Sequence, residues 1–107
     1  MSWHRENHTV SIVGGAGSFV SDHPWRGLLW NLIVEPDTST NEYALIVTDE
    51  KGDKAISFGT AVGLPQVGNL NSALEMPVRG KYTFTFSGAT IDEDINVRTA
   101  CNDTVNY

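Results

Sequence analysis

A single cysteine, Cys101, leaves this chain without a partner for an internal disulfide. A domain of this kind must be held by its apolar core, and one unpaired thiol points to maturation in a reducing compartment. Positive charge is also scarce: seven Lys and Arg stand against thirteen Asp and Glu, for a net charge of −6. Nucleic acid and anionic membrane surfaces both demand clustered cations, so neither is expected as a partner. No run approaches the ~18 apolar residues of a membrane span. The opening residues MSWHRENHTVS lack the apolar segment of a secretory signal. Helical periodicity is missing throughout. What remains is 107 residues, 40% of them hydrophobic, which suits one domain and is short for two.

What the chain does have is alternation. Residues 81–87, KYTFTFS, place Tyr82, Phe84 and Phe86 on one face and Lys81, Thr83, Thr85 and Ser87 on the other. Pro77 and Gly80 predict a turn before this strand, and Gly88 its end. Residues 27–35, GLLWNLIVE, are apolar on both faces, which predicts a central strand with Leu28, Trp30, Leu32 and Val34 together. Residues 42–48 alternate again, with Tyr43, Leu45 and Val47 inward. Gly52 is the expected left-handed position of the connection to 54–58. Ile95, Val97, Thr99 and Cys101 share a face in the last alternating run. Residues 9–13 predict a short strand, 59–73 a long connection with an extended piece at 60–62, and 102–107 a tail or edge. The fold class is therefore all-β: a single antiparallel β-sandwich, jelly-roll or immunoglobulin-like, of seven to eight strands.

Residues 1–8 show no strand period in their hydropathy and read as an N-terminal arm, with 9–107 as the sandwich domain. Two tryptophans stand in unexpected places: Trp3 in this polar arm and Trp25 in a predicted loop, HPWRG. Large apolar side chains so placed predict a covering partner, and both are expected at an interface.

Candidate chemistry is thin. The run at 14–18, GGAGS, lacks the Lys-Ser/Thr of a phosphate loop. Asp49, Glu50 and Asp53 suggest calcium, but Lys51 stands where a ligand belongs. His4 and His8 lack a third ligand nearby, and no metal or cofactor is expected. Asp22 and His23 with Ser18 or Ser21 supply the residue types of a triad, without the Gly-x-Ser-x-Gly turn. The acids 92–94 read as a solvated turn. No catalytic residue is expected.

The runs 29–35 (LWNLIVE), 43–49 (YALIVTD) with the Lys51-Gly52 turn, 76–86 (MPVRGKYTFTF) and Ala89-Thr90 carry a resemblance. Together, over roughly two-thirds of the chain, they resemble small β-sandwich virion structural proteins of tailed bacteriophages. The resemblance implies a non-enzymatic component of a virion, assembled in the host cytoplasm. Most concretely it implies a capsid decoration or cement protein that binds the major capsid protein, other virion subunits or copies of itself. A repeated lattice or homo-oligomer follows from that role. The alternative is a carbohydrate-binding, lectin-like module using Trp25 and loop acids.

Overall fold

The computed structural model describes residues 2–60 and 64–103. Alternation becomes strand almost everywhere. In chain order the strands are β1 (Ser2–Ser11), β2 (Gly17–Val20), β3 (Trp25–Pro36), β4 (Glu42–Thr48), β5 (Lys54–Phe58), β6 (Gln66–Val67), β7 (Leu70–Gly80), β8 (Thr83–Ser87) and β9 (Asp94–Asp103). These nine strands exceed the seven or eight expected, and no helix occurs among the described residues. The extended piece expected at 60–62 and the tail expected at 102–107 lie partly outside the described residues.

Every named pairing is antiparallel. One sheet runs β1-β9-β3-β7 and the other β2-β8-β4-β5, with β6 alongside β4. With the two-residue β6 set aside, this is the jelly-roll order of two Greek keys. The immunoglobulin order would pair β1 with β2 in one sheet; here they belong to opposite sheets. The core between the sheets holds Leu29, Leu32 and Val34 of β3, Tyr43, Leu45 and Val47 of β4, Phe84 and Phe86 of β8, and Ile95 and Val97 of β9. Each of these is fully enclosed.

Four expectations need correction. Residues 2–8 are not a separate arm: they belong to β1, which pairs with β9 from Ser2↔Asp103 to Ser11↔Asp94. Trp30 is only partly buried, because β3 carries an irregularity between Leu29 and Asn31. Such a bulge moves every following side chain to the other face. Leu29, not Trp30, therefore joins Leu32 and Val34 inside. Pro77 lies within β7 rather than in a turn before β8. It pairs with Leu28 of β3 on edge strand β7, and an edge strand is where proline, lacking an N–H, is tolerated. Finally, the acids at 92–94 are not idle. Asp92 accepts the Gly14 and Gly15 N–H groups at 2.8 and 2.9 Å, and Glu93 accepts from Thr38 and Asn41. Both carboxyls lie below the ordinary range, Asp92 through its two backbone donors and Glu93 first through the Thr38 hydroxyl. The glycine turn thus does cradle an anion, and the anion is the chain's own Asp92.

Candidate functional site

The outer face of the β1-β9-β3-β7 sheet is set by alternation. On β9 the side chains of Ile95, Val97, Thr99 and Cys101 face the core, which leaves Asn96, Arg98, Ala100 and Asn102 on the other side. Register then aligns Trp3 of β1 with Asn102, and Arg5 with Ala100. On the far side of β9, Leu28 aligns with Asn102, Asn31 with Ala100 and Ile33 with Arg98. The small Ala100 lines a depression of about 170 Å³ together with Arg5, Asn31, Ile33, Arg98 and Thr99. Trp3 stands beside it at 48% exposure. The Arg5 guanidinium lies over the Trp3 ring, 5.6 Å from its centroid, a cation–π contact that props the indole on the sheet. Arg98 is ion-paired with Glu35.

Three polar atoms around this face are buried without a hydrogen-bond partner: Asn31 Oδ1, Asn102 Oδ1 and Trp30 Nε1. An orphaned buried polar group costs about 1–3 kcal/mol.

Trp25 is elsewhere. The second tryptophan expected at an interface is a core residue, 2% exposed. Its ring stacks on Tyr82 at 5.4 Å, and its Nε1 donates to Glu6 at 2.7 Å. Glu6 answers the polar inner face of β1. Strand alternation puts His4, Glu6, His8 and Val10 on one side, and the two histidines flank the buried carboxylate. Glu6 Oε1 accepts from His8 Nε2 at 2.7 Å and from the Asp22 N–H at 2.8 Å. Oε2 accepts from Trp25 and from His4 Nε2 at 3.0 Å. Burial by itself would raise the Glu6 pKa, but hydrogen bonds from His8, Asp22, Trp25 and His4 reverse this and hold it at about 2.

Two candidate chemistries are absorbed by the fold. The Ser21 hydroxyl donates to the His23 carbonyl and accepts the Tyr82 N–H. Asp49 Oδ1 accepts the Lys51 and Asp53 N–H groups around the left-handed Gly52, and Glu50 accepts the Lys81 N–H. These acids border a groove of about 790 Å³ that also touches Trp25, Arg79 and Tyr82. The Tyr82 hydroxyl accepts the Arg79 N–H three residues back, the geometry of a tyrosine corner.

Cys101 is enclosed, 1% exposed, and burial followed by the nearby Glu6 charge pushes its thiol up to about 12. The thiolate is the reactive form. At pH 8 in native buffer, a thiol reagent is expected to label Cys101 at least a hundredfold more slowly than in urea. Prompt stoichiometric labelling of the native protein would show that β1 leaves β9 readily.

No protein-family model and no curated protein matches this chain. Among solved structures it is similar to the Yersinia pseudotuberculosis-derived mitogen, at 8% identity over 95% of this chain and 87% of that one, with a TM-score of 0.48. It is similar to the carbohydrate-binding module CBM36 in complex with calcium and xylotriose, at 10% identity over 91% and 86%, with a TM-score of 0.36. It is also similar to the enzymatically active domain of bacteriophage CBA120 tailspike protein 4, at 13% identity over 92% of this chain and 19% of that one, with a TM-score of 0.35.

Proposed function

We propose that this chain is a non-enzymatic assembly subunit that docks by the outer face of the β1-β9-β3-β7 sheet onto a protein shell. The concrete form of that role is a capsid decoration or cement protein of a virion, seated on the major capsid protein or on neighbouring copies. The observation that carries it is Trp3: a large ring, half-exposed on the outer face of the sheet, with the Arg5 guanidinium over it. Tryptophan and arginine are the residue types that most often dominate interface energetics. Strand β1 also supplies rigidity that a loose arm would lack, so little ordering cost attends docking. The virion partner itself comes from the resemblance of the 29–86 runs to small phage structural proteins. On a lattice, many such contacts add through avidity.

Trp3→Ala is expected to leave the melting temperature within a few degrees of wild type, since the ring is half outside. Truncating an interface tryptophan costs ~2–4 kcal/mol, or roughly 30- to 800-fold in affinity. Occupancy on purified shells should therefore fall at least tenfold at subsaturating protein. Undiminished occupancy by a stably folded Trp3→Ala protein would remove Trp3, and with it this reading.

A second reading has its own observation. The depression beside Trp3 is lined by the polar side chains of Arg5, Asn31 and Arg98 next to a half-exposed aromatic ring, a combination that suits a sugar. A glycan-binding screen separates the two: micromolar binding abolished by both Trp3→Ala and Asn31→Ala would favour carbohydrate over protein.

A further inference from the structure

All three histidines of the chain gather at one end of the sandwich, with two carboxylates among them. His4, Glu6 and His8 come from the inner face of β1, and Asp22 and His23 from the turn between β2 and β3. From this juxtaposition we infer that His8, Glu6 and Asp22 form a binding site for a divalent transition-metal ion of the zinc class. Its ligand atoms are His8 Nε2, a Glu6 carboxylate oxygen and an Asp22 carboxylate oxygen.

The distances suit the assignment. His8 Nε2 lies 2.7 Å from Glu6 Oε1 and 3.8 Å from Asp22 Oδ2. One ligand atom from each of the three residues falls within 4.8 Å of the others. A tetrahedral ion with bonds of about 2.0–2.1 Å needs its ligands roughly 3.3 Å apart. The two His8 spacings bracket that value, and the exposed Asp22 carboxylate can move to bring its oxygen to the same distance from Glu6. In the metal-free arrangement the His8 Nε2–H donates to Glu6; on binding, Nε2 must become a lone-pair donor and the ring proton moves to Nδ1. Calcium and magnesium are disfavoured because they prefer oxygen-only shells.

The site is supported from behind. The Glu6 carboxylate is fixed by Trp25 Nε1, the Asp22 N–H and His4 Nε2. The His8 ring is stacked on Phe19 at 4.3 Å with planes 19° apart, which sets its orientation. Outer contacts of this kind govern metal affinity by about 10- to 100-fold. The Asp22 side chain is 64% exposed, so the ion has an entry path and its fourth position opens to solvent. A carboxylate from the turn and an imidazole from edge strand β1 would then be clamped together, closing the end of the sandwich where β1 and β2 separate.

The test is zinc titration of the full chain by calorimetry, after chelator treatment, alongside thermal melts. One zinc per chain is expected, with a dissociation constant of about 10 μM or tighter, and at a hundredfold excess over that constant a rise in melting temperature of roughly 10 °C. Asp22→Asn, whose side chain is largely exposed, should fold as wild type and lose at least tenfold in zinc affinity. His8→Gln should lose more, and His23→Gln little. In long-range proton–nitrogen spectra, zinc should convert His8 to the Nδ1–H tautomer. No heat and no melting shift at 1 mM zinc overturns the inference. So does zinc binding that is unchanged in Asp22→Asn and leaves the His8 resonances in place.

Discussion

Glu6→Ala is expected to destabilise the metal-free protein by about 3–5 kcal/mol, the range for removing one partner of a buried, hydrogen-bonded charge cluster. For a domain of this length that is a fall of roughly 15 °C or more in melting temperature. The reasoning begins with donors, not with the charge. The Trp25 indole N–H is buried and the Asp22 amide points inward, and both depend on this carboxylate. An alanine leaves them unsatisfied, at about 1–3 kcal/mol for each one that water cannot reach. It also opens space beside Trp25, whose ring underlies Tyr82 and Phe84. Glu6→Gln keeps one acceptor oxygen but turns an amide donor toward other donors, so it should recover only part of the loss. The pH dependence has a definite sign. A carboxyl held at about 2 in the fold, against an ordinary value of 4.5, adds stability above pH 4.5 that is lost as pH falls toward 2. The shift corresponds to about 3 kcal/mol. Urea unfolding of both proteins in chelator should therefore show a wide gap in midpoint at pH 6 that narrows below pH 4. A loss under 1 kcal/mol at pH 6, no larger than that of exposed Thr85→Ala on β8, would mean that water reaches these donors.

The same residue shows why part of the site was hidden in the sequence. Strand β1 alternates perfectly in burial, with exposed Trp3, Arg5, Asn7 and Thr9 between inward positions 4, 6, 8 and 10. Hydropathy misses this because the inward residues at 4, 6 and 8 are His, Glu and His. The signal that existed was His-x-Glu-x-His: period two in chemistry, not in greasiness. The histidines were legible as four apart, a spacing that also puts two side chains on one strand face. Asp22 and Trp25 reach the cluster only through the jelly-roll crossing, which no local pattern encodes. By contrast, β4 and β8 could be read directly, since their alternation is apolar and aromatic. Central strand β3 was legible as a strand but not in phase, because the bulge at Trp30 leaves no mark in composition. The error moved Trp30 into the core and Leu29 out of it. In sequence Trp3 and Trp25 look alike, each a large ring in polar surroundings; in the fold the Trp3 ring stands half-exposed on the outer sheet face, while Trp25 is buried and donates to Glu6.

Gly59→Ala is expected to be the most damaging single-methyl change, near 3 kcal/mol or more, although the position lies outside the main core cluster. Gly59 has a φ of +68°, and a Cβ there would lie 2.3 Å from the Gln66 nitrogen and 2.6 Å from the Tyr43 carbonyl oxygen. Both are backbone atoms, so no side chain can swing away. The left-handed conformation alone costs an L-residue roughly 1–2 kcal/mol. Steric overlap on two sides adds about 1–3 kcal/mol, or else forces β6 off β4. The second outcome carries its own cost. Strand β6 pairs Gln66 with Tyr43, and the following turn accepts the buried Tyr43 hydroxyl at the Gly68 carbonyl, 2.8 Å away. Gly52→Ala separates the two contributions. Its φ is +83°, yet nothing lies within 4 Å of the added methyl. It should lose about 1–2 kcal/mol from conformation only. Urea midpoints of the two variants, measured side by side, should differ by at least 1 kcal/mol, with Gly59→Ala the weaker. Equal losses would show that the chain around Gly59 yields without penalty, and that the β6 pairing adds little to holding β4 in place.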